Sequence, residues 1–344
     1  MRSTTGWQSL DGTTALQRVP IERRDLRPDD VAVRVDYCGV CHSDLHRIHG
    51  MLGEKDLVPG HEATGVVTAV GAEVTGFAPG ERVAIGTIID SCGVCPMCRI
   101  GQENYCYEGP TTTYGGAAQT KGAYSREYIL REKFAFHLPE GLEPAAAAPL
   151  LCAGVTVWEP IRAAGVGSGS KVGVVGLGGL GHLAVKIAAA LGAEVTVLSR
   201  TADKADDARR LGASDLLVTT DEAQLEQARG RFDLIVDTVS AEHELPPLLR
   251  MLALDGTLSV VGNPLMAGPR ILDLVTGRHR LTSSGTGGLR QTVEMLEFCA
   301  ENGITADVEV LPSARVQEAL DRLERGDVHY RFVLDMSDLD EQAA

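Results

Sequence analysis

The stretch "SKVGVVGLGGLGHLAVKIAAALGAEVTVLS", residues 170 to 199, decides the fold. It reads as a strand, a glycine turn, a helix and a second strand. Gly176, Gly178 and Gly181 stand in G-x-G-x-x-G spacing, with Gly179 and Leu180 completing the turn. Such spacing alone is weak, because glycine-rich turns are common. Here the strand "KVGVV" precedes it and the helical "GHLAVKIAAALG" follows. A tight turn, close backbone approach and a helix N-terminus suit the pyrophosphate of a dinucleotide. The plainer reading is a packing turn with no ligand.

The second strand ends at Ser199, followed by Arg200, with Lys204 nearby. NAD sites usually place Asp or Glu there, on the ribose 2′-hydroxyl. A carboxylate repels a 2′-phosphate, whereas a hydroxyl and two cations attract one. The missing acid predicts NADP. The bland alternative makes Arg200 and Lys204 ordinary solvated charges.

Working outward, "DKADDARRLGA" reads as helix, "DLLVT" and "FDLIVDTV" as strands, "LPPLLRMLALDG" as helix and "TLSVVG" as strand. Strands alternating with helices predict βαβ units and a parallel sheet. "LRQTVEMLEFCAENG" and "SARVQEALDRLERG" are amphipathic helices, and "AAAA" at 145 to 148 is helix-forming. Before residue 150 the pattern differs. "DVAVRVDY" (30 to 37) alternates as a half-buried strand does, and "TGVVTAVG" (64 to 71) and "GERVAIG" (80 to 86) are similar. That region is β-leaning, and the acidic "DMSDLDEQAA" at the end is expected to fray.

The chain has 344 residues, enough for two domains, with 44% hydrophobic and 23% charged residues. Aromatics are only 4%, so a substrate pocket must rely on aliphatic, Met and Thr side chains. A net charge of −15 disfavours nucleic acid and anionic membrane surfaces. No basic start leads into an apolar run, and no stretch approaches ~18 consecutive apolar residues. The expected location is the cytoplasm, where clustered cysteines are more often metal ligands than disulfides.

Four of the eight cysteines, Cys92, Cys95, Cys98 and Cys106, are spaced C-x2-C-x2-C-x7-C. Four thiolates so close suit a closed, tetrahedral structural zinc site. Iron–sulfur ferredoxin spacings differ from this one. "YCGVCHSDLH" (37 to 46) packs two cysteines, two histidines, a serine and an aspartate into ten residues. Cys41 needs partners; "PGHE" offers His61 with Glu62, and "LLCAG" offers Cys152. Two thiolates and an imidazole make a zinc site with an open fourth position. Sequence distance alone does not show that these residues converge.

With "CGVCHSDLH", "VPGHEATGVV", the four-cysteine lobe ending "ENYC", "PLLCAGVTV", "GLGGLGHLAVKIA" and "DVHYRFVLD" together, the chain resembles the zinc-dependent medium-chain alcohol dehydrogenases. More narrowly, it is similar to the cinnamyl-alcohol-dehydrogenase-type, NADP-dependent aldehyde reductases. The matches run from about residue 37 to 335 and keep the family's order. The resemblance implies a GroES-like β-rich catalytic domain (1–153), a Rossmann NADP-binding domain (154–288) and a C-terminal segment (289–344) completing the first. It implies two zinc ions per chain, an active site between the domains and a homodimer built on the Rossmann sheet edge.

The resemblance also assigns roles. Cys41, His61 and Cys152 would bind the catalytic zinc, which Glu62 would approach or transiently bind. Asp44 would orient His61. Ser43 and His46 would relay protons, Thr156 would touch the nicotinamide face, and His42 would lie near the pyrophosphate. Cys38 and Cys299 pack as small hydrophobes. Plant members carry Trp where this chain has Thr112, so a cinnamyl substrate does not follow. Trp158 either lines the site or packs between domains. The implied reaction interconverts an aldehyde and a primary alcohol. Reduction of an activated carbon–carbon double bond is one alternative, and a non-catalytic NADP-binding or sensing protein is another. The retained Ser43–His46 pair favours carbonyl chemistry over the first, and the intact zinc ligands argue against the second.

Overall fold

The computed structural model describes residues 1–10, 14–50, 56–262 and 268–340. Internal contacts divide the chain into two compact units, Met1–Cys152 with Gly288–Ala344, and Ala153–Gly287.

The first unit is built on a seven-stranded sheet. Its central strand, Asp30–Val40, pairs antiparallel with Ala63–Val70, Glu127–Arg131 and Arg331–Asp335. Strict alternation was the expectation for that strand, and the structure corrects it. Val31, Ala32 and Val33 are consecutive and all fully buried. Successive side chains point to opposite faces, so both faces of the strand are covered. The C-terminal strand Arg331–Asp335 lies beside it, Phe332 opposite Val40 and Asp335 opposite Tyr37. A hairpin of Arg2–Ser9 and Leu16–Arg23, absent from the sequence reading, ties in through Trp7, whose indole N–H donates to Ser313 Oγ at 2.8 Å.

The acidic end does not fray through residue 340. Ser337–Asp340 forms a 3-10 turn with Leu339 buried. Asp338 accepts from Ser313 Oγ (2.6 Å) and the Ala314 N–H (2.8 Å), and Asp340 pairs with Arg126. Residues 341 to 344 lie outside the described residues.

The second unit is a six-stranded parallel sheet. Its order is Asp215–Val218, Glu194–Ser199, Lys171–Val175, Phe232–Asp237, Leu252–Val260, Arg280–Ser283. The order reverses between Lys171–Val175 and Phe232–Asp237. In doubly wound sheets ligands bind beyond the carboxyl ends of the strands at such a reversal. One expected helix is shorter than its apolar pattern: "LPPLLRMLALDG" is helical only at Pro246–Arg250, and Leu252 already begins a strand. Pairing of Leu252 with Phe232 takes over there, and Asp255, at φ 63°, carries an irregularity inside the strand. Among the described residues no single helix is long and apolar enough to cross a membrane.

Candidate active site

The strand Asp30–Val40 delivers Cys41 to the N-cap of the helix His42–Ile48. Asp44, at the third helical position, accepts the Cys41 backbone N–H at 2.9 Å. This reciprocal cap fixes the turn and leaves Asp44 fully buried. The same carboxylate accepts the Gly60 N–H at 3.2 Å and the Tyr124 hydroxyl at 3.3 Å. It also faces His61 Nδ1 at 3.2 Å. A proton held on Nδ1 by Asp44 leaves the Nε2 lone pair free for a metal. Burial opposes charge on His61, but the Asp44 carboxylate and Cys41 hold its pKa well above the ordinary imidazole value.

His61 Nε2 lies 3.2 Å from Cys152 Sγ, and Cys152 Sγ lies 3.9 Å from Cys41 Sγ. The three donor atoms fall within 4.8 Å of one another. A sulfur separation of 3.9 Å is far beyond a disulfide bond of about 2.05 Å. The hydrogen bond from Cys152, helped by the positive Arg331 and His61, lowers the Cys41 pKa well below the usual thiol value. A thiolate in this position with a second sulfur and an imidazole fits zinc, and among the described residues no fourth His, Cys, Asp or Glu donor joins the set.

Glu62 is fully buried beside this cluster. Its Oε1 pairs with the buried Arg331 guanidinium, while Oε2 has no hydrogen-bond partner among the described residues. Burial pushes its carboxyl up to about 8, against the pull of Arg331. The side chain crosses Gly39, where an added Cβ would come within 2.4 Å of Oε1. An orphaned buried carboxylate oxygen fits a nearby cation.

Ser43 Oγ donates to Cys41 Sγ at 3.1 Å and lies 3.4 Å from His61 Nε2. His46 sits on the same helix, three residues on, its ring 6.4 Å from that of His42. Among the described residues no hydrogen bond joins Ser43 to His46. Burial lowers the His42 pKa.

Three site residues escaped the sequence reading. Arg331 is a lone charge in the otherwise apolar start of its strand, 2% exposed. The Tyr114 ring lies tilted against His61, centroids 5.5 Å apart, under the Arg47 guanidinium at 4.8 Å. Tyr124 buttresses Asp44. Tyr114 and Tyr124 lie more than fifty positions beyond "PGHE", so no spacing in the sequence flagged them.

The second cysteine cluster is local. Cys95 caps the short helix Pro96–Arg99, its sulfur accepting the Cys98 N–H at 3.5 Å, and Cys92 Sγ accepts the Cys95 N–H at 3.4 Å. The N–H groups of Cys98 and Tyr107 bring the Cys95 thiol down to about 6. The Cys92 N–H lowers Cys106, while burial pushes Cys98 up to about 11. Cys92, Cys95, Cys98 and Cys106 present sulfurs within 4.8 Å of one another, and backbone N–H groups favour the thiolate at Cys95 and Cys106.

In the second unit, Gly176 takes φ 84° at the end of Lys171–Val175. A Cβ on Gly181 would lie 2.1 Å from the Gly176 carbonyl, so the helix Gly181–Ala190 sits directly on the turn. A Cβ on Gly178 would meet nothing within 4 Å. That combination, a tight turn with one open side before a ten-residue helix, has the shape that suits the pyrophosphate of a dinucleotide. Lys204 reaches back to the Leu177 carbonyl at 3.0 Å. Ser199 ends its strand half-buried, and Arg200 is exposed with no acid pairing it among the described residues. Thr156 donates to the Gly285 carbonyl at 3.2 Å. Trp158 is buried under Arg162, 5.3 Å away. Cys38 and Cys299 are buried in their cores, and Thr112 lies in a two-residue strand paired with Ile88–Asp90.

The chain matches the family model Alcohol dehydrogenase GroES-like domain over residues 27–140 and the model Zinc-binding dehydrogenase over residues 179–301. It is 44% identical to a Bacillus subtilis protein named probable formaldehyde dehydrogenase AdhA, covering 94% of this chain and 95% of that one. It is 42% identical to NADP-dependent alcohol dehydrogenase C of Mycobacterium bovis, covering 98% and 100%. Among solved structures, a cinnamyl alcohol dehydrogenase of Sorghum bicolor superposes with a TM-score of 0.93 at 42% identity, covering 99% of each chain. The chain belongs to the zinc-dependent medium-chain alcohol dehydrogenases. Within them it falls in the cinnamyl-alcohol-dehydrogenase-type branch, and its reaction is the interconversion of aldehyde and alcohol.

Proposed function

We propose that this enzyme reduces aldehydes to primary alcohols with NADPH in preference to NADH, at a zinc held by Cys41, His61 and Cys152. The convergence of those three donor atoms carries the reading. When bound, the zinc supplies Lewis acidity toward a carbonyl oxygen and the reduced nicotinamide supplies hydride. The chain's own residues do the rest. Asp44 fixes the His61 tautomer, and Arg331 neutralises Glu62. The Ser43 hydroxyl hands a proton to the product oxygen. His46, three residues along the same helix face, exchanges it with solvent. Cys92, Cys95, Cys98 and Cys106 hold a second, structural zinc.

Ser199, Arg200 and Lys204 support the NADP preference, and the glycine turn from Gly176 to Gly181 receives the pyrophosphate. His42 serves the pyrophosphate and Thr156 the nicotinamide. Free cysteines throughout suit a reducing compartment such as the cytoplasm. A homodimer is favoured by two features of this unit, an edge strand at Arg280–Ser283 and the exposed apolar side chains of Ile271, Leu272 and Val275. The test is NADPH oxidation over a panel of aldehydes with product identification. Saturated and unsaturated aldehydes should both yield the alcohol with the alkene intact. A product reduced at the double bond would instead favour alkene reduction.

A further inference from the structure

Asp237 ends the strand Phe232–Asp237, beside the strand that leads into the glycine turn. This is the carboxyl edge of the sheet at its reversal, where a dinucleotide binds. Asp237 is fully buried, yet none of the roles above uses it. Its Oδ1 accepts the Val239 N–H at 3.1 Å. Its Oδ2 lies 2.8 Å from His243 Nε2, and His243 Nδ1 lies 2.8 Å from the Ala241 carbonyl. Both ring nitrogens therefore face acceptors, and the imidazole spans the loop it belongs to. His243 is not locked by packing. Its side chain is 22% exposed, and it borders a cavity of about 690 Å³ with Glu242, Glu244, Arg270 and Asp273.

The start of the same loop forms part of the cofactor cradle. Thr238 donates through its N–H (3.1 Å) and hydroxyl (2.8 Å) to the Val175 carbonyl. A Cβ on Gly176 would come within 2.9 Å of Val239 Cγ2. The Val239 carbonyl faces Gly262 so closely that a Cβ there would sit 2.2 Å away. Thr238 and Val239 thus form a wall against the glycine turn, and the Asp237 carboxylate sets their backbone.

We propose that Asp237 and His243 are positioning residues for the dinucleotide: the pair pins the loop from 238 to 243 so that Thr238 and Val239 hold their wall of the cofactor crevice. This rests on the reading of the glycine turn as a dinucleotide site. The predicted signature is a loss confined to cofactor binding. A lost charge-assisted hydrogen bond corresponds to roughly tenfold in affinity.

The experiment titrates the zinc-replete enzyme with NADPH, following fluorescence for Kd, and measures both KM values. His243→Ala should raise the NADPH Kd and KM about tenfold, with the aldehyde KM within about twofold of wild type. His243→Gln, which keeps a donor toward Asp237, should recover most of the loss. Asp237→Asn should weaken NADPH binding in the same direction, and it decides the matter if His243→Ala does not fold. The proposal is overturned if the foldable variants bind NADPH within twofold of wild type. It is equally overturned if cofactor and aldehyde affinities fall together and His243→Gln restores neither, which is the mark of a merely structural pair. Failure of the wild type itself to bind NADPH would overturn the cofactor reading instead.

Discussion

Arg331 and Glu62 stand 269 positions apart in the chain and form a buried ion pair beside Cys41 and His61. Their side chains are 2% and 0% exposed. Glu62 reaches the pair across Gly39, the only residue type that leaves it room, because an added Cβ would fall within 2.4 Å of its carboxylate. The C-terminal strand therefore does more than complete a sheet. It carries the cation that neutralises the carboxylate and favours thiolate on Cys41.

Removing Arg331 strands a buried carboxylate that must either stay charged or take up a proton, at a cost of up to about 3–5 kcal/mol. Arg331→Met should lose that much stability in urea denaturation of the zinc-replete enzyme. The double variant Glu62→Gln with Arg331→Met should lose less than the sum of the single changes, since neither charge is then stranded. An Arg331→Met enzyme within about 1 kcal/mol of wild type would show the pair to be energetically idle.

Metal content gives a separate test of the two cysteine sets. The purified enzyme should hold two zinc ions per chain. Cys41→Ser should lose one ion and activity while staying folded. Cys98→Ser should lose the other and melt at a lower temperature, because structural zinc binding contributes folding free energy. Asp44→Asn should keep the catalytic ligands but weaken their zinc affinity by about 10–100-fold, as expected when the group orienting a histidine ligand is lost. A fully active protein with one zinc or none would defeat the assignment.

How much of this was legible in the sequence follows from distance along the chain. The glycine turn and the four-cysteine lobe lie within short segments, so spacing alone carried their chemistry. Cys41, His61 and Cys152 are brought together only by folding, and only the family resemblance suggested their convergence. Arg331, Tyr114 and Tyr124 belong to no spacing rule; they act from other strands and loops on groups the sequence had flagged. The strand at 30 to 40 misled because alternation in the text does not reveal a second cover on the sheet. The acidic tail misled because Asp338 and Asp340 look solvated until Ser313 and Arg126 are placed beside them.

Cofactor choice should turn on Ser199 and Arg200. Combining Ser199→Asp with Arg200→Ala adds a repelling carboxylate and removes a cation at the place meant for the 2′-phosphate. The ratio of kcat/KM for NADPH over NADH should fall by roughly 10²-fold, the equivalent of one or two charge-assisted hydrogen bonds. Lys204 is a weaker lever, because its ammonium is already engaged with the Leu177 carbonyl. A wild-type enzyme that uses NADH as well as NADPH would remove the basis of this prediction.

Proton transfer separates Ser43 from His46. Ser43 Oγ sits among the ligand atoms, 3.1 Å from Cys41 Sγ and 3.4 Å from His61 Nε2. That hydroxyl is an O–H donor beside the three clustered donor atoms. His46 lies farther out, half-exposed, where water can partly replace it. General acid–base groups contribute about 10²–10⁴-fold to rate. Ser43→Ala should fall within that range, and His46→Ala at or below about 10²-fold. Neither change should empty the zinc site, since His46 is outside the Cys41–His61–Cys152 cluster and a neutral serine hydroxyl is not among the usual zinc donors. Alcohol oxidation must export a proton, so the His46→Ala profile in that direction should change shape with pH, whereas aldehyde reduction should change less. Loss of zinc from His46→Ala would make it a ligand. Wild-type rates in both variants across the pH range would remove the relay and direct attention to another proton donor, with Tyr114 beside His61 the first to examine.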